Sequence, residues 1–281
     1  MTITEANQKL LFQLYYDYDD REAGNIADWI MENLTGWKKI DRVLNNTVRM
    51  SSGQELQLQK YIDETLLHKP VQYILNEAWF CGLKLYVDEN VLIPRPETEE
   101  LAEWIIAEKS NKKNSVLDIG TGSGCIAVAL KNKVNSFIVN ACDISGDALQ
   151  VAQKNADTYQ SEINFYQNNI LDKNTWSDLP SINIIVSNPP YIPAKEKIGM
   201  NKNVTLHEPG IALFVANDDP LIFYKTIIDF AKEKLIVGGS IFVEIHEDLS
   251  AETSFLFKNA GYKNVAVKKD MQGKNRMIRA Y

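Results

Sequence analysis

The chain has 281 residues, of which 45% are hydrophobic and 24% are charged, and its formal net charge is −7. This composition is typical of a globular protein that buries a sizeable core. No apolar run approaches the roughly 20 residues that a membrane-spanning helix needs, and residues 1–5 show neither the basic region nor the apolar core of a signal peptide. We therefore expect a cytoplasmic protein without a membrane partner.

The cysteines and histidines show no metal-ligand spacing. Cys81, Cys125 and Cys142 leave an odd thiol, which indicates reduced, buried thiols rather than a disulfide framework. His246-Glu247 is not followed by a second histidine at metalloprotease spacing. No metal site is predicted.

Residues 1–78 are predicted to form a small helical domain. They lack strand alternation, and their apolar residues recur at intervals of three and four. Two segments, Thr2-x-x-Glu5 and Ser52-x-x-Glu55, are typical of capping boxes at helix starts. Residues 1–80 carry 8 basic and 12 acidic residues, so this part lacks the basic excess of a nucleic-acid binder.

The remainder of the chain predicts an α/β domain. Apolar and polar side chains alternate over residues 79–93, which indicates a linking β-hairpin. Strands and helices then alternate over residues 94–281, which indicates a largely parallel sheet. The last two predicted strands, 264–269 and 276–281, form an antiparallel hairpin. Such a sheet is similar to the Rossmann-like fold of class I methyltransferases that use S-adenosyl-L-methionine (SAM).

A glycine-rich loop follows the first strand of this predicted sheet. Residues 115–119 form a short apolar run, residues 120–124 read Gly-Thr-Gly-Ser-Gly, and a helical run begins at Cys125. Alternate glycines let the backbone pass close under a ligand, so the pattern predicts a nucleotide-type site. The segment Gly122-x-Gly124-x-x-Ala127 also fits the looser dinucleotide fingerprint of dehydrogenases. Against that alternative, Asp118 precedes the glycines at a place where a carboxylate would face a cation or an amine.

The loop resembles that of class I SAM-dependent methyltransferases, in which an acidic residue before the glycines lies near the methionine part of the cofactor. The next strand ends at Asp143, whose carboxylate can accept from both ribose hydroxyls; alternatively, Asp143 caps the helix that begins near Ser145. Asn169 stands where many methyltransferases have an acid near the adenine, with Ile170 beside it. The predicted SAM-binding residues are Asp118, Gly120, Thr121, Gly122, Ser123, Gly124, Asp143, Asn169, Ile170 and Asn188.

The tetrapeptide Asn188-Pro189-Pro190-Tyr191 follows the apolar strand 182–186. It suits a reaction in which a planar, weakly nucleophilic NH2 group attacks an electrophile. The side-chain oxygen of Asn188 and the carbonyl of Pro189, held by two rigid prolines, can each accept one N–H, and Tyr191 offers a flat face. We predict these three residues as catalytic, and the same three with Pro190 as substrate-binding. The alternative is a proline-rich strand-exit turn with a buried tyrosine.

A series of motifs occurs in order from about residue 70 to residue 245: Pro70-Val71-Gln72-Tyr73-Ile74, Phe80-x-Gly82, Leu92-Ile93-Pro94-Arg95-Pro96-Glu97-Thr98-Glu99, Asp118 to Gly124, Asn188 to Ile192, Glu208-Pro209 and Ala212-Leu213. The series resembles the bacterial peptide chain release factor N5-glutamine methyltransferase family, PrmC (HemK). The N-terminal helices match in kind and length only. The chain departs from the family at Asn76, where glycine is frequent, at Asn169, where an acid is usual, and at His246-Glu247.

The resemblance implies that the substrate is the glutamine of the Gly-Gly-Gln loop in class I release factors. It also implies SAM as cofactor and S-adenosyl-L-homocysteine as product. Asn188 and Pro189 would hold both amide protons, and Tyr191 would pack on the amide plane. The helical domain, residues 1–78, is expected to bind the release factor away from the glutamine. We expect a monomer without direct nucleic-acid contact.

Two other functions remain open on the residues alone. An N6-adenine methyltransferase of nucleic acid has the same planar NH2 problem and flips the base into its pocket, but it needs a basic region that this sequence lacks. A SAM-binding protein without catalysis would need only the glycine loop and Asp143. Arg95 and Glu97 lie near the rim of the site according to the resemblance, or merely cap a helix that Pro96 starts.

Overall fold

The structure, a computed structural model, describes residues 1–109 and 113–281. The described residues form two compact units: residues 1–76 with 201–207, and residues 77–200 with 208–281. We expected three consecutive segments, residues 1–78, 79–93 and 94–281, with the helical domain ending at residue 78. We did not predict that a second segment, residues 201–207, groups with the helical unit.

The α-helices of the described residues are, in chain order, α1 (Ile3–Leu14), α2 (Asp20–Thr35), α3 (Lys39–Leu44), α4 (Ser52–Leu66), α5 (Val71–Leu75), α6 (Pro96–Lys109), α7 (Cys125–Lys133), α8 (Gly146–Thr158), α9 (Lys202–His207), α10 (Ile222–Lys234) and α11 (Ser250–Asn259). The strands are β1 (Ala78–Phe80), β2 (Leu83–Leu85), β3 (Ser115–Ile119), β4 (Ile138–Asp143), β5 (Ile163–Gln167), β6 (Ile182–Ser187), β7 (Ile192–Pro193), β8 (Phe214–Val215), β9 (Leu235–Glu244), β10 (Val265–Lys269) and β11 (Asn275–Ala280). Short 3₁₀ turns occupy Lys173–Asp178, Ala194–Gly199, Gly210–Ala212 and Glu247–Leu249.

The helical unit packs the apolar faces of α1, α2 and α4 together. Leu10, Leu14, Ile30 and Leu58 are almost completely buried and share one hydrophobic cluster. Residues three and four apart lie on the same face of a helix, so each helix contributes one apolar stripe to this core. The predicted N-terminal helices are thus confirmed.

Serine and threonine caps begin two of these helices. Thr2 caps α1 as predicted: its Oγ1 accepts from the Glu5 N–H at 3.2 Å, and the Glu5 carboxylate accepts from the Thr2 N–H at 2.7 Å. The predicted box Ser52-x-x-Glu55 is wrong by one residue. Ser51 caps α4, and its Oγ accepts from the Gln54 N–H at 3.2 Å. The reason is that a cap residue needs extended backbone, which Ser51 has, whereas the helix already includes Ser52.

The second unit contains a seven-stranded sheet with the order β10-β11-β9-β6-β3-β4-β5. The neighbours from β9 to β5 are parallel, and β11 pairs antiparallel with both β9 and β10. This confirms the predicted parallel sheet with an antiparallel C-terminal hairpin. A shorter hairpin, β1 with β2, lies at the start of the segment predicted as a linking hairpin.

Helices cover both faces of this sheet. Val116 and Val186 point to one face, where they cluster with residues of α6 and α7. Leu117 and Ile185 point to the opposite face, where they cluster with residues of α10 and α11. Successive strand residues point to opposite faces, and burial on both faces explains the continuous apolar runs in the sequence.

Residues 1–109 and 113–281 contain no helix that is long and apolar enough to cross a membrane. Within the same residues, no group of three or more His, Cys, Asp or Glu side chains is placed to hold a metal ion. The thiols of Cys81, Cys125 and Cys142 are free and buried.

Candidate active site

The predicted site residues lie at one edge of the seven-stranded sheet. Strands β3, β4, β5, β6 and β9 are parallel, so their carboxyl ends share that edge. The glycine loop follows β3, Asp143 ends β4, Asn169 follows β5 and Asn188 follows β6. Open α/β folds bind their ligands at this edge. One further acidic residue, Glu244, ends β9 there.

The glycine loop, residues 120–124, turns through left-handed backbone at each glycine. The φ angles of Gly120, Gly122 and Gly124 are 72°, 53° and 76°, which side chains with a Cβ rarely adopt. A Cβ added at Gly120 or Gly122 would meet no atom within 4 Å. The backbone at these two glycines therefore faces open space that a ligand can approach closely.

Helix α8 holds the loop from behind. A Cβ added at Gly124 would lie 3.0 Å from the Cβ of Ala152, so only glycine allows this close approach. One turn further along α8, Asn155 donates at 2.9 Å to the carbonyl of Ser123 and at 2.9 Å to that of Tyr86. These contacts fix the loop before any ligand binds.

Asp118 is completely buried beneath the loop. Its Oδ2 accepts from the Thr121 hydroxyl at 2.6 Å, whereas its Oδ1 has no hydrogen-bond partner among the described residues. Burial raises the pKa of Asp118 to about 7, and the hydrogen bond from Thr121 opposes that shift. A buried carboxyl oxygen without a donor is costly, and a cationic group bound beside it would offset that cost.

Asp143 joins the loop to the start of α8. Its Oδ2 accepts from the Gly122 N–H and its Oδ1 from the Ser145 N–H, both at 2.9 Å. The cap of α8 is Ser145, whose Oγ accepts from Ala148, so the alternative that Asp143 caps this helix is wrong. Burial raises the pKa of Asp143, and these N–H groups lower it. Each carboxylate oxygen keeps a lone pair for a further donor.

Asn169 and Ile170 form the turn after β5. The Asn169 side-chain oxygen accepts from the Leu171 N–H at 3.1 Å. Ile170 is 7% exposed and belongs to the hydrophobic core, and its carbonyl accepts from Trp176 Nε1 at 2.8 Å. The core thus holds this turn in place, and Asn169 is half-buried at its start.

Asn188 and Pro189 follow directly on a strand that is fixed to its neighbour. The hydroxyl of Ser187, the last residue of β6, donates to the Ile119 carbonyl at 2.7 Å. The Asn188 Nδ2 donates to Thr98 Oγ1 at 2.9 Å. In the described part of the chain, no donor binds Asn188 Oδ1 or the Pro189 carbonyl oxygen. Two consecutive residues thus present two acceptors at the sheet edge.

Tyr191 is anchored by a carboxylate. Its hydroxyl donates to Glu244 Oε1 at 2.9 Å, and its ring meets that of His246 edge-on at 6.0 Å between centroids. Burial raises the pKa of Tyr191 well above its ordinary value, and the nearby Glu244 carboxylate raises it further. The phenol is therefore neutral and acts as a fixed donor.

Thr98 and Glu244 belong to the site but were not predicted. The Thr98 hydroxyl donates to Glu244 Oε2 at 2.6 Å, and both residues are buried. Glu244 ends an apolar strand at the same sheet edge as Asp118 and Asp143. That position was the signal in the sequence that could have identified it.

Arg95 forms an ion pair with Glu208 at 2.6 Å. The same carboxylate accepts from the Ile93 N–H at 3.2 Å, and only 1% of the Glu208 side chain is exposed. Pro96 begins α6, and the Arg95 carbonyl accepts from the Thr98 N–H at 3.1 Å. Arg95 thus caps α6 through its backbone, which agrees with the alternative prediction that it caps a helix started by Pro96. Its side chain binds Glu208.

The fold and the site define a methyltransferase of the class I type. A model of the methyltransferase small domain matches residues 98–220. A methyltransferase of known structure from Pyrococcus furiosus superimposes with a TM-score of 0.52 at 17% identity, over 82% of this chain and 98% of that chain. That likeness supports the fold alone, as predicted.

Sequence relatives identify the family. A model of the PrmC N-terminal domain matches residues 15–75. The release factor glutamine methyltransferase of Flavobacterium psychrophilum is 42% identical over 266 residues, covering 93% of each chain. That of Lactococcus lactis is 41% identical over 253 residues, covering 89% of this chain and 92% of the relative. The chain belongs to the release factor glutamine methyltransferase family.

Proposed function

We propose that this protein methylates the side-chain amide nitrogen of the glutamine in the Gly-Gly-Gln motif of class I release factors, with SAM as the methyl donor. The observation that carries the proposal is the pair of acceptors, Asn188 Oδ1 and the Pro189 carbonyl, at the end of β6. A primary amide has two N–H groups, and two fixed acceptors match them. The names of the relatives, release factor glutamine methyltransferase, support the same substrate.

The residues of the glycine-loop region fit SAM. The unpaired Oδ1 of Asp118 would pair with the ammonium group, and the open backbone at Gly120 and Gly122 would let the cofactor approach the loop closely. Asp143 would accept from the ribose hydroxyls, and Asn169 from the adenine amine. When bound, SAM supplies a methyl group on a positively charged sulfur, which makes that methyl electrophilic.

The chain's own residues contribute orientation and charge stabilisation. Asn188 and Pro189 would hold the glutamine N–H groups so that the nitrogen lone pair faces the methyl group, and Tyr191 would pack on the amide plane and exclude water. Positioning of this kind lowers the barrier by removing the entropy cost of alignment. Positive charge develops on the nitrogen during transfer, and two acceptors already aimed at its protons stabilise that charge. The neutral amide needs no base before attack. After it has received the methyl group, the nitrogen loses one of its two protons to solvent, which leaves the neutral N-methyl amide and S-adenosyl-L-homocysteine.

Peptide mass spectrometry on a release factor incubated with the protein and SAM tests the proposed function. We expect a gain of one methyl group on the Gly-Gly-Gln glutamine. Retained SAM binding without methylation of this glutamine would contradict the proposal and favour a different methyl acceptor or a non-catalytic SAM-binding protein.

The affinity for SAM is expected to fall at acidic pH. Burial raises the pKa of Asp118 to about 7, so the carboxyl is largely neutral at pH 6, and a neutral carboxyl cannot pair with an ammonium group. For a group with this pKa, affinity should fall about tenfold between pH 8 and pH 6. Isothermal titration calorimetry at both pH values measures the change.

Asp118→Asn is the matched control, because it keeps an acceptor for Thr121 but cannot ionise. The ionisable groups of SAM titrate in the same way with both proteins. The difference between the two proteins in the pH dependence of SAM affinity therefore reports the ionisation of Asp118. Equal pH dependence in the two proteins would show that Asp118 does not bind the cofactor's cation.

We further propose that the helical unit binds the release factor. This unit contains none of the predicted site residues, and a separate domain model matches it. Deleting residues 1–76, which stops before the second unit begins, should lower kcat/KM on an intact release factor at least about tenfold, the equivalent of losing about 1.4 kcal/mol of binding. A short Gly-Gly-Gln peptide should react as before, which reports an intact catalytic unit. Unchanged kcat/KM on the intact release factor would refute this role.

A further inference from the structure

A buried hydrogen-bond network links the predicted catalytic residues to one carboxylate. Asn188 Nδ2 donates to Thr98 Oγ1 at 2.9 Å, and Thr98 Oγ1 donates to Glu244 Oε2 at 2.6 Å. The Tyr191 hydroxyl donates to Glu244 Oε1 at 2.9 Å. Glu244 is 1% exposed and Thr98 is 3% exposed, so water does not compete for these bonds. The two oxygens of Glu244 therefore hold Asn188 indirectly and Tyr191 directly.

The count of protons in this network fixes the direction of the Asn188 amide. A hydroxyl has a single proton to donate. Thr98 gives its proton to the carboxylate, so toward Asn188 it can only accept. Asn188 must then turn its NH2 group toward Thr98, which leaves Oδ1 for another donor. An ionised Glu244 thus selects, through Thr98, the amide orientation in which Asn188 is an acceptor.

We propose that Glu244 is a positioning residue for methyl transfer: through Thr98 it makes the Asn188 oxygen the atom that receives the substrate N–H, and it anchors Tyr191 beside it. The proposal rests on the proposed function, because the orientation of Asn188 matters only when an amide is held there. Of the residues predicted to bind SAM, only Asn188 belongs to this network. The glycine loop and Asp143 lie outside it, so we expect the role to fall mainly on the acceptor side of the reaction.

A proton on Glu244 would reverse this selection. A neutral carboxyl donates one hydrogen bond itself, so Thr98 or Tyr191 must turn its own proton elsewhere. If the proton of Thr98 turns to Asn188, the Asn188 amide reverses and presents its NH2 group to the substrate N–H, which is a repulsive contact between two donors. An acidic pH limb should therefore appear in kcat even when SAM is saturating.

The surroundings of Glu244 determine where that limb falls. Burial raises the pKa of Glu244; the hydrogen bonds from Thr98 and Tyr191 and the charge of Arg276 lower it, and Glu97 raises it. Tyr224 donates to the backbone carbonyl of Glu244 at 3.0 Å, which fixes the main chain. The net shift is upward, so the limb should lie above the pH range of an ordinary glutamate.

The variant Glu244→Gln tests the proposal, since its NH2 group donates and mimics the protonated state at all pH values. We expect kcat to fall about 10- to 100-fold, the range for a misplaced reacting group, with the Kd for SAM within about twofold of wild type and the acidic limb absent. Glu252→Gln, the same change at an exposed position of α11, is the matched control. If Glu244→Gln keeps the kcat and acidic limb of wild type, the proposal is overturned.

Changes at Thr98 keep the test decisive if Glu244→Gln does not fold. Thr98→Val preserves the side-chain shape but removes the hydroxyl, and it should lower kcat about as much as Glu244→Gln does. Thr98→Ser retains the hydroxyl and should keep most of the wild-type kcat. Equal kcat values for the Val and Ser variants would overturn the relay through Thr98. Wild-type protein that binds SAM but leaves the release factor unmethylated would instead refute the proposed function on which this proposal rests.

Discussion

Replacing Asn188 with alanine is expected to lower kcat for release factor methylation by about 100- to 1000-fold, the range found when one preorganised group that stabilises transition-state charge is removed. The physical reason is that alanine removes one of the two acceptors at the end of β6 and leaves the glutamine amide free to rotate. Asn188 is also one of the predicted SAM-binding residues, but the KM for SAM should change much less than kcat, because the glycine loop and Asp143 remain. Single-turnover methylation, followed by mass spectrometry, measures the effect.

Two further variants sharpen this test. Asn188→Asp keeps an oxygen acceptor but loses the donor to Thr98 and places a second carboxylate close to the buried Glu244. Like charges raise carboxyl pKa values, so its activity should depend on pH more steeply than that of the wild type. Asn259→Ala, at the exposed end of α11, is the matched control. A wild-type kcat for Asn188→Ala would rule out amide orientation by this residue.

Replacing Asp143 with alanine is expected to weaken SAM binding by about 10- to 100-fold, because hydrogen bonds to a charged group contribute about 1.5 to 3 kcal/mol. The change removes the proposed acceptor for the ribose hydroxyls, and it also leaves the N–H groups of Gly122 and Ser145 without their partner. The loop should therefore lose order as well as an acceptor. Equilibrium titration with SAM measures the Kd.

Asp147→Ala is the matched control for this change. Asp147 lies in the first turn of the same helix, α8, and its side chain is exposed. The Asp147→Ala substitution removes the same charge a few residues away and leaves the contacts of the glycine loop unchanged. Equal SAM affinities for the Asp143 and Asp147 variants would show that Asp143 does not hold the cofactor.

Local patterns predicted the parts of the site that depend on neighbouring residues. A glycine loop between a strand and a helix, and a tetrapeptide at a strand end, carry their geometry within a few positions. The sheet edge then brings them together, because parallel strands end on the same side. The helix cap at Ser51 shows the limit of such patterns: Ser51 and Ser52 are chemically equivalent, and only the backbone conformation decides which one caps.

Contacts between residues far apart in the chain could not be predicted from the sequence. Thr98 and Glu244 are 146 residues apart, and no local feature announces that a helix start will meet that strand end. The same holds for residues 201–207, which group with the helical unit although most of that unit precedes residue 77. There His207 contacts the Leu67 carbonyl at 2.8 Å, 140 residues away. Contacts of this kind depend on the complete topology.

The order of strands in the sheet has a consequence for protein synthesis. Strand β6 lies between β3 and β9, and its second neighbour is made well after the first. At a synthesis rate of about 5 to 20 residues per second, Glu244 follows Asn188 by roughly 3 to 11 s. During that interval the nascent chain displays an unpaired strand edge, which favours aggregation. Asn188 and Tyr191 are also without their anchor, Glu244, so the proposed acceptor site is complete only when β9 pairs with β6.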